Sequence, residues 1–134
     1  MIKGGSRNSL KCVGNIVFFF NINIMGLQQV GKFKLDQDGA YVARTEFHFM
    51  GDDGQWHWSQ QTDNELAGQQ YTTDPGDLGV PDGAIVTFKL WVMAGYDREA
   101  TQSFQYTKGS SKTAEYRSSG ITVNPGLQFN GILG

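Results

Sequence analysis

Sulfur, charge and helix-forming stretches are all scarce in this 134-residue chain. Cys12 is its single cysteine, so an internal disulfide is excluded. With no histidine or Cys-x-x-Cys partner nearby in sequence, it reads as a small apolar side chain. Charged residues make up 18%, below the roughly 25% of soluble domains. They form no dense basic patch, which disfavours nucleic acid as a partner. The chain has no phosphate loop, dinucleotide fingerprint, His-Glu-x-x-His zinc motif or Gly-x-Ser-x-Gly elbow. Few windows of a dozen residues lack Gly or Pro, and those mostly alternate with period two. The reading is a non-enzyme of the all-β class.

Long apolar runs are missing too. From Ile16 to Met25 the sequence is apolar but broken by Asn21 and Asn23, and a bilayer span needs about 20 apolar residues. Basic residues precede this run, yet no small-x-small cleavage pattern follows, so it is a poor signal peptide. The expectation is a soluble protein without a transmembrane segment, cytoplasmic or released by a non-classical route, its compartment unassigned. A strand over Cys12–Met25 fits better, with Phe18, Phe20, Ile22 and Ile24 on one face.

What is abundant is aromatic and turn-forming. Nine Phe, five Tyr and three Trp accompany 18 Gly, a glycine share about twice the usual ~7%. Strands are predicted at Gln29–Leu35, Tyr41–Met50, Gln55–Gln60, Ala84–Met93, Ala100–Thr107, Thr113–Arg117, Ile121–Asn124 and Leu127–Ile132. Asp38-Gly39, Asp74-Pro75-Gly76 and Pro81-Asp82-Gly83 mark turns. The stretch Ala67–Val80 reads as irregular, and Thr62–Gly68 as one or two helical turns. One domain over residues 1–134 follows from length. Eight or nine short strands predict a single-domain antiparallel β-sandwich, with a closed barrel second.

Charge is segregated. Residues 1–35 carry five bases and no acid; residues 36–83 carry ten acids against Arg44 alone. Either the stretches neutralise one another in the fold, or the acidic middle receives a cation or a basic partner. The Asp-rich turns supply oxygens of the kind Ca2+ takes, with Asp52, Asp53, Asp74 and Asp77 the first candidates. Ordinary turn chemistry is the favoured account of them, and no cofactor is assigned.

Chemistry concentrates around Gly51-Asp52-Asp53-Gly54. A hairpin with a two- or four-residue turn there sets Phe47 opposite Trp58, Phe49 opposite Trp56 and His48 opposite His57. The four aromatic rings then share one face and both histidines the other. The aromatic face packs in the core, or Trp56 and Trp58 stand at its rim as a platform. Two imidazoles are fewer than the three protein ligands zinc wants, so no metal is assigned. Ser59 falls near both histidines, the one arrangement that hints at a catalytic dyad.

The residues assigned to ligand binding are Trp56, Trp58, His57, Gln60, Asp63, Asn64, Trp91 and Tyr96. Indole rings stack on sugar faces, and the amides and carboxylate fix hydroxyls. In size, acidity, strand content and abundance of Trp and Tyr the chain resembles small lectins and the lipid-binding sandwich proteins of the aegerolysin kind. This resemblance is one of composition, not of motif. The leading reading is a lectin-like, non-catalytic module for a glycan or membrane-lipid headgroup. Its alternatives are a membrane-active, toxin-like protein of the cytolysin or insecticidal type and a self-assembling structural subunit, either of which could be a homo-oligomer.

Overall fold

A computed structural model describes residues 11–12, 15–16 and 26–134. Strands β1 (Lys11–Cys12) and β2 (Asn15–Ile16) pair antiparallel by themselves. Apart from these two pairs of residues, the strand expected over Cys12–Met25 lies outside the described residues.

The rest forms two sheets packed face to face as an all-β sandwich, not closed into a barrel. One sheet has five strands, ordered β3 (Gln29–Val30), β9 (Arg98–Tyr106), β8 (Ile85–Val92), β5 (Ala43–Met50) and β6 (Trp56–Trp58). The other has four, ordered β11 (Asn124–Leu133), β10 (Thr113–Ile121), β4 (Lys32–Gln37) and β7 (Gln69–Thr73). The sheets are mixed: β3 runs parallel to β9, and β4 parallel to β10. The antiparallel expectation is corrected for these two pairs, because the chain switches sheets at Gly31 between β3 and β4.

Period-two alternation places the core. Phe33 and Leu35 from β4, Phe47 from β5, Val86, Phe88, Leu90 and Val92 from β8, and Tyr116 from β10 are all buried. Rings dominate the contact between sheets: Phe33 lies 4.8 Å from Phe47, and Phe88 stacks on Tyr116 at 4.6 Å. Such pairs contribute about 0.5–1.5 kcal/mol beyond area burial.

Three local expectations are corrected. Strand β7 falls inside the stretch read as irregular; it is an edge strand of Gln, Tyr and Thr with only Thr73 buried, so no apolar rhythm announces it. Thr62–Gly68 is not helical. There Thr62 Oγ1 accepts the Thr45 amide at 3.0 Å, and Glu65 bridges Ala43. Finally, the strand expected at Ile121–Asn124 is a turn: β10 and β11 meet there, with Ile121 paired to Asn124 around Thr122-Val123.

Candidate functional site

The β5–β6 hairpin exists, but its register differs by one residue from the expected one. Gly51 N donates to Gln55 O at 2.8 Å, closing a loop of Asp52, Asp53 and Gly54. Gly54 takes φ of 77°, the left-handed residue that a three-residue hairpin loop needs. An odd loop length moves every partner by one, and one step exchanges the two faces. His48 therefore pairs with Trp58, Phe49 with His57 and Met50 with Trp56.

Consequently the four rings do not share a face, and the two histidines do not meet. Phe47 is buried, and Phe49 packs at the core edge. Trp56 and Trp58 turn to the outer face and are 47% and 50% exposed, so the core-packing alternative fails for both indoles. His57 lies on the other side, 5.7 Å from Phe49, with its Nε2 3.0 Å from both carboxylate oxygens of Asp53. That hydrogen bond holds the Asp53 carboxyl below its usual range.

On the outer face of the five-stranded sheet, His48 stacks on Trp58 at 4.1 Å and 12° and touches Trp56 at 5.0 Å. Its Nδ1 is 3.0 Å from Glu99 Oε2. Lys89 Nζ sits 4.2 Å from the Trp58 ring centroid and pairs with Glu46 at 3.4 Å and Asp97 at 3.3 Å. Next along the sheet, Arg44 lies 5.0 Å from the Trp91 ring and donates to Asn64 Oδ1 and Gln61 Oε1. Thus Trp56, Trp58, Trp91 and Asn64 share this face, as the assigned site requires, and His57 does not. Gln60 leaves the hairpin with its amide bound to Leu78 O. Asp63 lines a shallow cleft with Thr62, Asn64, Tyr71 and Thr73, which Asn64 joins to the Trp91 end of this face. Strand parity missed His48, Glu99 and Arg44 because the predicted turn had the wrong length or because their partners come from other strands.

Tyr96 belongs to a second surface. The β8–β9 and β10–β11 hairpins reach the same end of the sandwich, where Tyr96 N donates to Thr122 O at 3.0 Å. A Cβ on Gly95 would stand 2.4 Å from that same oxygen, so only glycine allows the two tips to touch. Tyr96, Ile121 and Val123 are 62%, 54% and 62% exposed, and Met93 and Leu66 are exposed at the same end. A hub beneath them is buried: Gln37 Nε2 donates to Tyr41 O at 2.6 Å, while its Oε1 accepts from Gly39 N and Ser118 Oγ. Sequence reading passed over Ile121 and Val123 because their apolar, β-branched character was read as strand.

The remaining candidates are occupied otherwise. Ser59 Oγ donates to Gln60 O and accepts from Phe47 N, which ties its hydroxyl to the backbone. Asp74 caps a 3-10 turn at Pro75–Leu78 and binds Tyr106 Oη. Burial, reinforced by that carboxylate, pushes the Tyr106 phenol up to about 12. Among the described residues, no three His, Cys, Asp or Glu side chains gather where they could hold a metal ion. Nor is any helix there long and apolar enough to cross a membrane.

No protein-family model matches this sequence, and no curated protein does. Solved structures similar to it include listeriolysin O, at 17% identity and TM-score 0.38, the match covering 75% of this chain and 22% of that one. The cytotoxin suilysin from Streptococcus suis matches at 17% identity and TM-score 0.39, over 75% of this chain and 23% of its own. The membrane-binding domain of pneumolysin matches at 14% identity and TM-score 0.38, over 75% of this chain and 96% of that domain. This chain therefore spans under a quarter of the two longer proteins.

Proposed function

We propose that this chain is a non-catalytic binding module that docks end-on against a lipid surface through its paired hairpin tips. The observation that supports this reading is the chemistry of the tips. Turns favour Gly, Asn, Asp, Ser and Pro, yet Ile121-Thr122-Val123 and Met93-Ala94-Gly95-Tyr96 place large apolar groups there, more than half exposed in three cases. Isolated exposed apolar residues are ordinary, but clustered ones mark a binding surface.

Energetics agree with the assignment. Fully burying a large apolar side chain stabilises by ~1.5–3 kcal/mol, so three half-exposed ones gain roughly 3 kcal/mol on entering the interface. That is about two orders of magnitude in partitioning. Near the tips Arg117 is paired with Asp38 at 2.7 Å and Asp97 with Lys89, while Arg98 donates to the Asp97 carbonyl. Among the described residues the tips thus hold one arginine outside an ion pair and no basic patch, so docking rests on apolar contact and depends only weakly on salt.

Flotation with neutral phosphatidylcholine vesicles tests this. The wild-type chain rises with the vesicles, and Ile121→Ser with Val123→Ser lowers the bound fraction about tenfold or more without lowering the melting temperature. Absence of flotation, or flotation unchanged in the double variant, overturns the reading. Dye release from the same vesicles distinguishes passive docking from toxin-like permeabilisation.

A further inference from the structure

We infer that the outer face of the five-stranded sheet is a second, independent site, a stacking platform for a neutral saccharide. It lies apart from the hairpin tips. From His48 to Ala43 the strand runs five residues, about 17 Å, and the ring stack of His48, Trp56 and Trp58 contains no tip residue. Asp97, in the β8–β9 loop, reaches it only through its ion pair with Lys89.

The choice of ligand follows from what the face carries. Trp58 rests on His48 and Lys89 yet keeps half of its surface exposed, with Trp56 beside it. A half-exposed indole held by a stacked imidazole and an ammonium is pre-organised, so stacking on its exposed surface costs little rotamer freedom. A pyranose ring offers a flat patch of C–H groups, the partner that the electron-rich face of an indole prefers. Its hydroxyls project from the edges, and here the edges are polar. Glu99 is partly exposed beside His48, and on the same strand Ser103 is half-buried, its hydroxyl 2.9 Å from that of the buried Thr87.

Other occupants fit the face less well. Arg44, Glu46, Lys89, Asp97 and Glu99 are interleaved with the rings, and moving them into lipid or a dry protein interface would strip their hydration. A saccharide leaves that hydration largely in place. Lys89 is paired with Glu46 and Asp97, and Glu99 with His48, while the Arg44 guanidinium is held over Trp91 by Asn64 and Gln61 rather than by a carboxylate. Among the described residues around Trp58, one lysine therefore faces three carboxylates, which disfavours an anionic sugar. The ligand is accordingly uncharged.

An immobilised panel of neutral oligosaccharides built from glucose, galactose, mannose and N-acetylglucosamine provides the test, read with the full chain. Saturable binding to at least one member is expected. Trp58→Ala should weaken it about tenfold or more, as loss of a central aromatic anchor does, and Glu99→Gln should weaken it measurably. Ile121→Ser with Val123→Ser, expected to lower vesicle flotation about tenfold or more, should leave it unchanged, so the two sites fail separately. If Trp58→Ala lowers the melting temperature, Trp58→Phe takes its place, since it keeps a ring over His48. Binding by no member of the panel, or binding equal in wild type and the Trp58 and Glu99 variants, overturns the inference. Self-association through this face would also overturn it, seen as acrylamide protection of the indoles that grows with protein concentration in the absence of sugar.

Discussion

Trp58 lies stacked on His48 across the β5–β6 pair, 4.1 Å between ring centroids and 12° between planes. Lys89 reaches the same indole from the neighbouring strand while pairing with Glu46 and Asp97. One cation thus joins a ring and two carboxylates, and its position has consequences for stability as well as for recognition.

Glu46 is buried, and among the described residues its carboxylate accepts, besides Lys89, from Gln61 at 3.1 Å. Removing one partner of a buried pair leaves an uncompensated charge, which costs about 3–5 kcal/mol. Lys89→Ala is expected to lose roughly 2–4 kcal/mol in urea denaturation, because the pair is partly reached by water. Adding Glu46→Gln should recover much of that loss, and additive effects in the double variant would show that the two are not coupled.

Ala94 has φ of 56°, a conformation that costs a residue with a Cβ about 1–2 kcal/mol. Ala94→Gly should therefore raise stability by up to ~1 kcal/mol once the extra freedom of the unfolded glycine is subtracted. Gly95→Ala should do the reverse and separate Tyr96 from Thr122. Thermal melts measure both, and flotation shows whether the tip contact matters for docking.

These neighbouring positions also show what was legible. Alternation along Ala84–Met93 revealed the strand that is β8, whose inward residues Val86, Phe88, Leu90 and Val92 are buried. Sandwich architecture followed from many short strands between turn signals. Partner identity did not, because register depends on loop length, and Asp52-Asp53-Gly54 closes an odd loop where an even one was expected. The same kind of error hid the β10–β11 tip: Ile121 and Val123 have strand chemistry but occupy a turn. β7 carries no apolar alternation at all, so its pairing with β4 is written in the neighbouring strand rather than in its own residues.

Glu65 gives a pH dependence of definite sign. Burial raises its carboxyl above the ordinary 4.5, opposed by hydrogen bonds from Thr45 and Thr62. A carboxyl that binds its proton more tightly in the folded chain stabilises the fold below its unfolded value. That contribution is lost as pH rises through the folded value. Each tenfold difference in proton affinity is worth about 1.4 kcal/mol. The stability of Glu65→Gln relative to wild type should therefore climb between pH 4 and pH 8. A difference that stays flat over that range would show that Glu65 titrates alike in both states.

Which surface meets lipid is reported directly by a probe at Val123. In a Cys12→Ser background, Val123→Cys labelled with an environment-sensitive fluorophore should brighten and shift to the blue when neutral vesicles are added. The same label at Lys34, on the outer face of the four-stranded sheet, should not change. A Val123 label that keeps its aqueous spectrum while vesicles bind the protein would contradict end-on docking.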